Sequence, residues 1–162
     1  MLTTARTCVP ITISRLEIER WPNTPSARAL TDAGPRSRTI TFRLPAVDRA
    51  VPVCRSLTRS WLDQQHLTDE DIRHTALLIA TELATNAIVH TGSAVISANL
   101  QRNKNHLRIQ VRDQGTTMSA KHWHNAPGFG RGLGIVASSA RALGTRIERD
   151  GTRSIWATVP LT

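Results

Sequence analysis

Three groups of residues in this 162-residue chain have types and spacings suited to chemistry. Glu82, Asn86 and His90 recur every four residues, which lines them up along one side of a helix. A carboxylate and an amide one turn apart offer a proton acceptor and a neutral oxygen ligand. Mg2+ accepts such a ligand when phosphates and waters fill its other positions. Asp113 and Gly115 close an apolar stretch, where the carboxylate is poised to accept a hydrogen bond from an exocyclic amine such as adenine's. The same Asp-x-Gly is equally a turn. Gly128-Phe129-Gly130-Arg131-Gly132-Leu133-Gly134 opens a helical pattern. Its glycines let backbone approach a ligand, and free N–H groups at a helix start favour phosphate. The alternative is a plain flexible hinge. No strand immediately precedes the run and no Gly-Lys-Ser/Thr follows, so it is neither a dinucleotide fingerprint nor a Walker A loop.

The elements that must position these groups are legible from periodicity. Ala76, Ile79, Ala80, Leu83 and Ala87 form one apolar stripe, and the Glu82–Asn86–His90 column runs along its edge. Buried polar groups are costly without partners, so the column either satisfies itself and nearby backbone or faces a polar cavity. Thr68-Asp69-Glu70-Asp71 reads as the capped, acidic start of this helix, which ends around His90 before Gly92. Upstream, Thr39–Leu44 alternates like an edge strand ended by Pro45, and Val47, Val51, Cys54, Leu57 and Trp61 make a second helical stripe. Downstream, Ala94–Leu100 and His106–Asp113 pair around a polar turn. Residues 116–131 have no period, Gly132–Leu143 reads as a helix stopped by Gly144, and Thr145–Glu148 with Ser154–Val159 form a hairpin around Asp150-Gly151. Strands and helices that segregate in this way predict a two-layer α+β sandwich, with a mixed, mostly antiparallel sheet and helices on one face. Trp61 and Trp156 read as core residues. Residues 39–162 form the domain, and the proline-bearing residues 1–38 read mainly as an extension or poorly ordered arm, with a short strand pattern from Val9 to Ile18.

Composition narrows the function. The two cysteines, Cys8 and Cys54, are too few for a disulfide framework or a thiolate metal site, and charged residues interrupt every apolar run near the N-terminus. A cytoplasmic protein without a membrane span or signal peptide is expected. The net charge of +9 is scattered, with no long basic run and no aromatic–basic alternation. That argues against direct nucleic-acid binding and fits an acidic protein partner or a polyphosphate ligand. His122-x-His124 is read as a solvated pair in the loop, and Trp123 and Phe129 as packing residues.

Taken together, the motifs resemble a known family. Glu82-Leu83-x-x-Asn86-Ala87-x-x-His90 resembles the N box of the GHKL (Bergerat-fold) ATPases, the histidine-kinase-like ATPase domains. Asp113-x-Gly115 resembles their adenine-binding G1 box, and Gly130-Arg131-Gly132-Leu133-Gly134-Ile135 their G2 box; the resemblance spans about residues 39–160. The single-domain form is most similar to anti-sigma-factor serine/threonine kinases and related bacterial ATP-binding regulators of transcription. The resemblance implies ATP and Mg2+ as cofactors. Asn86 would be the metal ligand, Glu82 the catalytic base and Asp113 the reader of adenine N6, with Gly115 allowing the approach. Gly130, Arg131, Gly132, Leu133 and Gly134 would hold phosphate and hinge a lid over residues 116–131. His90 would contact phosphate or cap its own helix. It further implies a protein partner (a sigma factor, an anti-sigma-factor antagonist or both) and a homodimer. Thr117 stands where the G1 box often has a second glycine, and the lid is short. The kinase reading rests on Glu82. A non-catalytic nucleotide-binding module that sequesters its partner is the alternative.

Overall fold

The structure, a computed structural model, describes residues 10–23, 38–115 and 129–161, with backbone alone for 129–131. Ten elements succeed one another: β1 (Ile11–Thr12), α1 (Arg15–Arg20), β2 (Thr39–Pro45), α2 (Ala50–Gln64), α3 (Glu70–Thr91), β3 (Val95–Arg102), β4 (His106–Asp113), α4 (Phe129–Ser139), β5 (Ala142–Ile147) and β6 (Arg153–Pro160). The strands form one sheet in the order β1-β2-β3-β4-β6-β5. β1 pairs parallel with β2, and every other pair is antiparallel. This is the expected α+β sandwich with a mixed sheet.

The alternation of each strand decides its buried face. Phe42 and Leu44, Ile96, Ala98 and Leu100, Leu107, Ile109 and Val111, and Ile155, Ala157 and Val159 all point into one core. The central helix, α3, lies over β3, β4 and β6 and packs against both α2 and α4. Neighbours on three sides widen its buried arc beyond the single stripe that periodicity predicts: Leu77 and Ala84 are also buried. Four of its nine buried residues are alanines, small enough for these neighbours to approach closely. Its ends obey local rules. Asp69 accepts hydrogen bonds from the N–H groups of Asp71 (3.0 Å) and Ile72 (3.1 Å), and Gly92 closes the helix in the left-handed region at φ 61°.

Four details differ from the sequence expectations. Residues 10–23, read as part of an extension, contribute β1 and α1, and Ile13 and Ile18 are buried in the core. β2 is consequently not an edge strand, since Ile11 and Thr12 pair with Phe42 and Arg43. α4 starts at Phe129 and ends at Ser139, and the next residues join the sheet: the Arg141 N–H donates to the Thr158 carbonyl at 2.9 Å. Leu143 continues a helical period by coincidence, and this hid the switch to strand. Gly144 is a strand residue lying under Trp156, whose ring occupies the space a Cβ would need. Trp156 itself sits half-buried on the uncovered face of the sheet, with the Arg108 guanidinium carbon 5.2 Å from its ring centre. No helix among the described residues is long and apolar enough to cross a membrane.

Candidate functional site

β4 runs inward as Leu107, Ile109 and Val111, and the next residue in that phase is Asp113, only 2 % exposed. Its partner across the ladder is Arg153, the first residue of β6, in the same inward phase as Ile155, Ala157 and Val159. Residues directly opposite on one face of an antiparallel pair lie close enough for their side chains to meet. Arg153 Nε donates to Asp113 Oδ2 at 2.9 Å, and Arg153 Nη2 lies 2.7 Å from the same oxygen. Nη2 also donates to Asn86 Oδ1 at 3.0 Å. Arg153 and Asn86 are 4 % and 5 % exposed, so the three groups form one buried polar cluster between α3 and the sheet. Burial pulls the Arg153 guanidinium below its ordinary value, and the Asp113 carboxylate draws it back up.

The second carboxylate oxygen of Asp113 accepts the Gly115 N–H at 2.8 Å, which folds the chain back two residues on. Gly115 has φ 80°, and a Cβ there would overlap the backbone carbonyl of Gly151. A glycine is therefore required at the end of β4 on two grounds. Asp-x-Gly is thus a turn in this structure, and the same turn fixes the carboxylate.

Glu82, one turn before Asn86, is half-buried beneath the start of α4. A Cβ at Gly132 would fall 2.7 Å from Glu82 Oε2, so this glycine lets the helix settle onto the carboxylate. The placement also suits the positive end of the helix dipole. The glycine run is helical from Phe129 onward instead of forming a loop ahead of the helix. Gly130, Arg131 and Gly132 lie in its first turn, where N–H groups have no partner within the helix. Leu133 packs against the core and Gly134 is exposed. His90 is half-buried in the last turn of α3, two turns from Glu82. The structure therefore brings Glu82, Asn86, Asp113, Gly115 and Gly132 together at one end of the sandwich, with His90 further along α3. Residues 116–128, which hold Thr117, His122, Trp123, His124 and most of the expected lid, lie outside the described residues, as do the side chains of Phe129 and Arg131.

Sequence reasoning missed Arg153. Its signal was available: extending the inward phase of Ile155, Ala157 and Val159 by one step places a cation at the mouth of a strand that ends opposite an aspartate. The strand was expected to start at Ser154, which left Arg153 in the turn.

A profile of the histidine kinase-like ATPase domain matches residues 44–158, well over half of the chain. The chain belongs to the histidine kinase-like ATPase family. No curated protein matches it. Within this family assignment the fit of the implied cofactors is tested by the cluster itself. Asn86 Oδ1 already accepts from a cationic guanidinium, and no group of three metal-ligating side chains occurs among the described residues. A Mg2+ ion on Asn86 would stand against that positive charge, so the cluster as arranged does not fit the metal. Both oxygens of Asp113 likewise already have donors, so a base's amino group would share the carboxylate with the Gly115 N–H or compete with Arg153 for it.

Proposed function

We propose that this histidine kinase-like ATPase domain protein is an ATP-binding bacterial regulator of the anti-sigma-factor type, whose output is the binding of a protein partner. The observation that carries the reading is the convergence of Glu82, Asn86, Asp113 and the glycine-bearing start of α4 at one end of a sandwich of this family. Asp113 reads the adenine amino group, and the first turn of α4 takes phosphate. The partner is acidic: the face of the sheet away from the helices presents Arg43, Arg108, Arg112 and Arg146. Calorimetric titration with ATP tests the site. Binding that Asp113→Asn weakens for adenine nucleotides supports the reading, and an affinity unchanged in that variant removes Asp113 from it.

Glu82 supports a second reading, a serine/threonine protein kinase acting on an antagonist protein. The Ser or Thr oxygen attacks the γ-phosphorus, the bond to the β–γ bridging oxygen breaks, ADP leaves and Glu82 takes the hydroxyl proton. Transfer of γ-phosphate to a candidate antagonist, abolished in Glu82→Ala with ATP binding retained, would establish it. Equal transfer by that variant would exclude Glu82. The hold of Arg153 on Asn86 favours the binding module over the kinase.

A further inference from the structure

We propose that Arg153 is a built-in plug of the nucleotide site, a positioning residue that sets how tightly a nucleotide binds and whether a metal ion accompanies it. This inference rests on the nucleotide reading above. Its geometry is specific. One guanidinium engages the two side chains that the reading needs free, Asp113 through Nε and Nη2 and Asn86 through Nη2. The other Asp113 oxygen accepts the Gly115 N–H. A base presenting an amino group to Asp113 therefore competes with the Arg153 donors for the carboxylate. A divalent cation on Asn86 must displace the same guanidinium or stand beside its charge, with burial strengthening the repulsion.

The plug is anchored by architecture. The backbone of Arg153 is fixed by its ladder pairing to Asp113, and the bonds run from neighbouring strands to a helix. The stem of the side chain, by contrast, has several rotatable bonds, so the guanidinium can leave without the strand moving. In the free protein Arg153 supplies a charge where a nucleotide would supply an amino group and a metal ion. Nucleotide affinity is then reduced by the fraction of molecules in which the plug is seated. A merely structural arginine behaves in the opposite way, since its loss loosens the site and weakens every ligand.

The test is a titration of the full chain, wild type and Arg153→Ser, with ATP in the presence and absence of Mg2+. Each protein is first checked for folding by circular dichroism and a thermal melt. The expected result is ATP affinity at least tenfold tighter in Arg153→Ser, with a dependence on Mg2+ that the wild type lacks. Equal or weaker binding by the variant, with binding by the wild type intact, overturns the plug and leaves the nucleotide site standing. Absence of binding by both folded proteins overturns the nucleotide reading and the plug with it. Should Arg153→Ser not fold, side-chain NMR of 15N-arginine-labelled wild type decides the matter, with the Arg153 Nε signal assigned from Arg153→Lys. That proton is expected to be protected in the free protein and to shift and exchange rapidly once ATP saturates the site. An Arg153 signal unchanged at saturation overturns the proposal, and so does an absence of saturable binding.

Discussion

The two faces of the sheet use the same residue types to opposite ends. On the helix side, one arginine is buried against one aspartate and one asparagine. On the uncovered side the ladder places Arg43, Ser97, Arg112, Ser154 and Arg146 in a single row across five strands. Arg43, Ser97 and Arg112 of that row line a concavity of about 680 Å3 together with Asn99 and Arg108. Arg112 and Arg146 reach carboxylates at the hairpin, Asp150 at 3.7 Å and Glu148 at 3.5 Å, and water screens both pairs. Charge therefore holds structure on one face and remains available on the other. A desolvated ion pair fixes geometry because leaving either partner alone is costly. A row of exposed arginines fixes little and stays free to meet something else.

The largest effect is expected at Asp113. Asp113→Ala strands the Arg153 guanidinium in the core and should cost about 3–5 kcal/mol in urea unfolding. Replacing both residues, Asp113→Leu with Arg153→Met, should recover most of that loss, because the desolvation penalty disappears together with the attraction. A double variant as unstable as the single would mean the pair contributes something other than mutual neutralisation. Next comes Gly144→Ala on the uncovered face, where the new methyl group meets the Trp156 ring and overpacking should cost about 1–3 kcal/mol by the same assay. Asp69→Ala, which removes the N-cap of α3, should cost about 1 kcal/mol. Smallest is Arg43→Ala in the exposed row, for which the unfolding free energy in urea should stay within about 0.5 kcal/mol of wild type.

A buried group with no counter-charge sharpens the contrast. Burial pushes the Cys54 thiol up to about 12, with only a hydrogen bond from Thr58 working the other way. A thiol whose folded value is raised stabilises the protein fully below the unfolded value of about 9 and loses that contribution as pH rises towards 12. In a Cys8→Ser background, Cys54 should therefore resist a thiol reagent at pH 8 until urea unfolds the chain. Reaction at a rate independent of urea would contradict the burial.

Much of the fold was legible because it is local. The Asp69 cap, the Gly92 stop, the alternation in β3 and β4 and the Asp150-Gly151 hairpin all follow from residues within a turn or two of one another. The same holds for the burial of Asp113, which follows from counting inward along Leu107, Ile109 and Val111. Local rules failed where a neighbour from elsewhere overrode them. Leu143 and Gly144 looked like the end of a helix, and pairing with β6 made them strand. Trp156 looked like core by its size, and its phase in β6 set it on the uncovered face under Arg108.

Most of the elements, the α+β class and the family can be read from the chain alone, because caps, periods and the three motifs are written in short stretches; β1, α1 and the start of β5 cannot. What the motif residues touch depends on contacts between distant parts of the chain. Asp113 meets a partner forty residues away, and Asn86 meets the same partner across sixty-seven. Such a meeting depends on the register of β4 against β6 and on how α3 lies over them. A shift of one residue in that register would turn Arg153 to the other face and leave Asp113 without its cation.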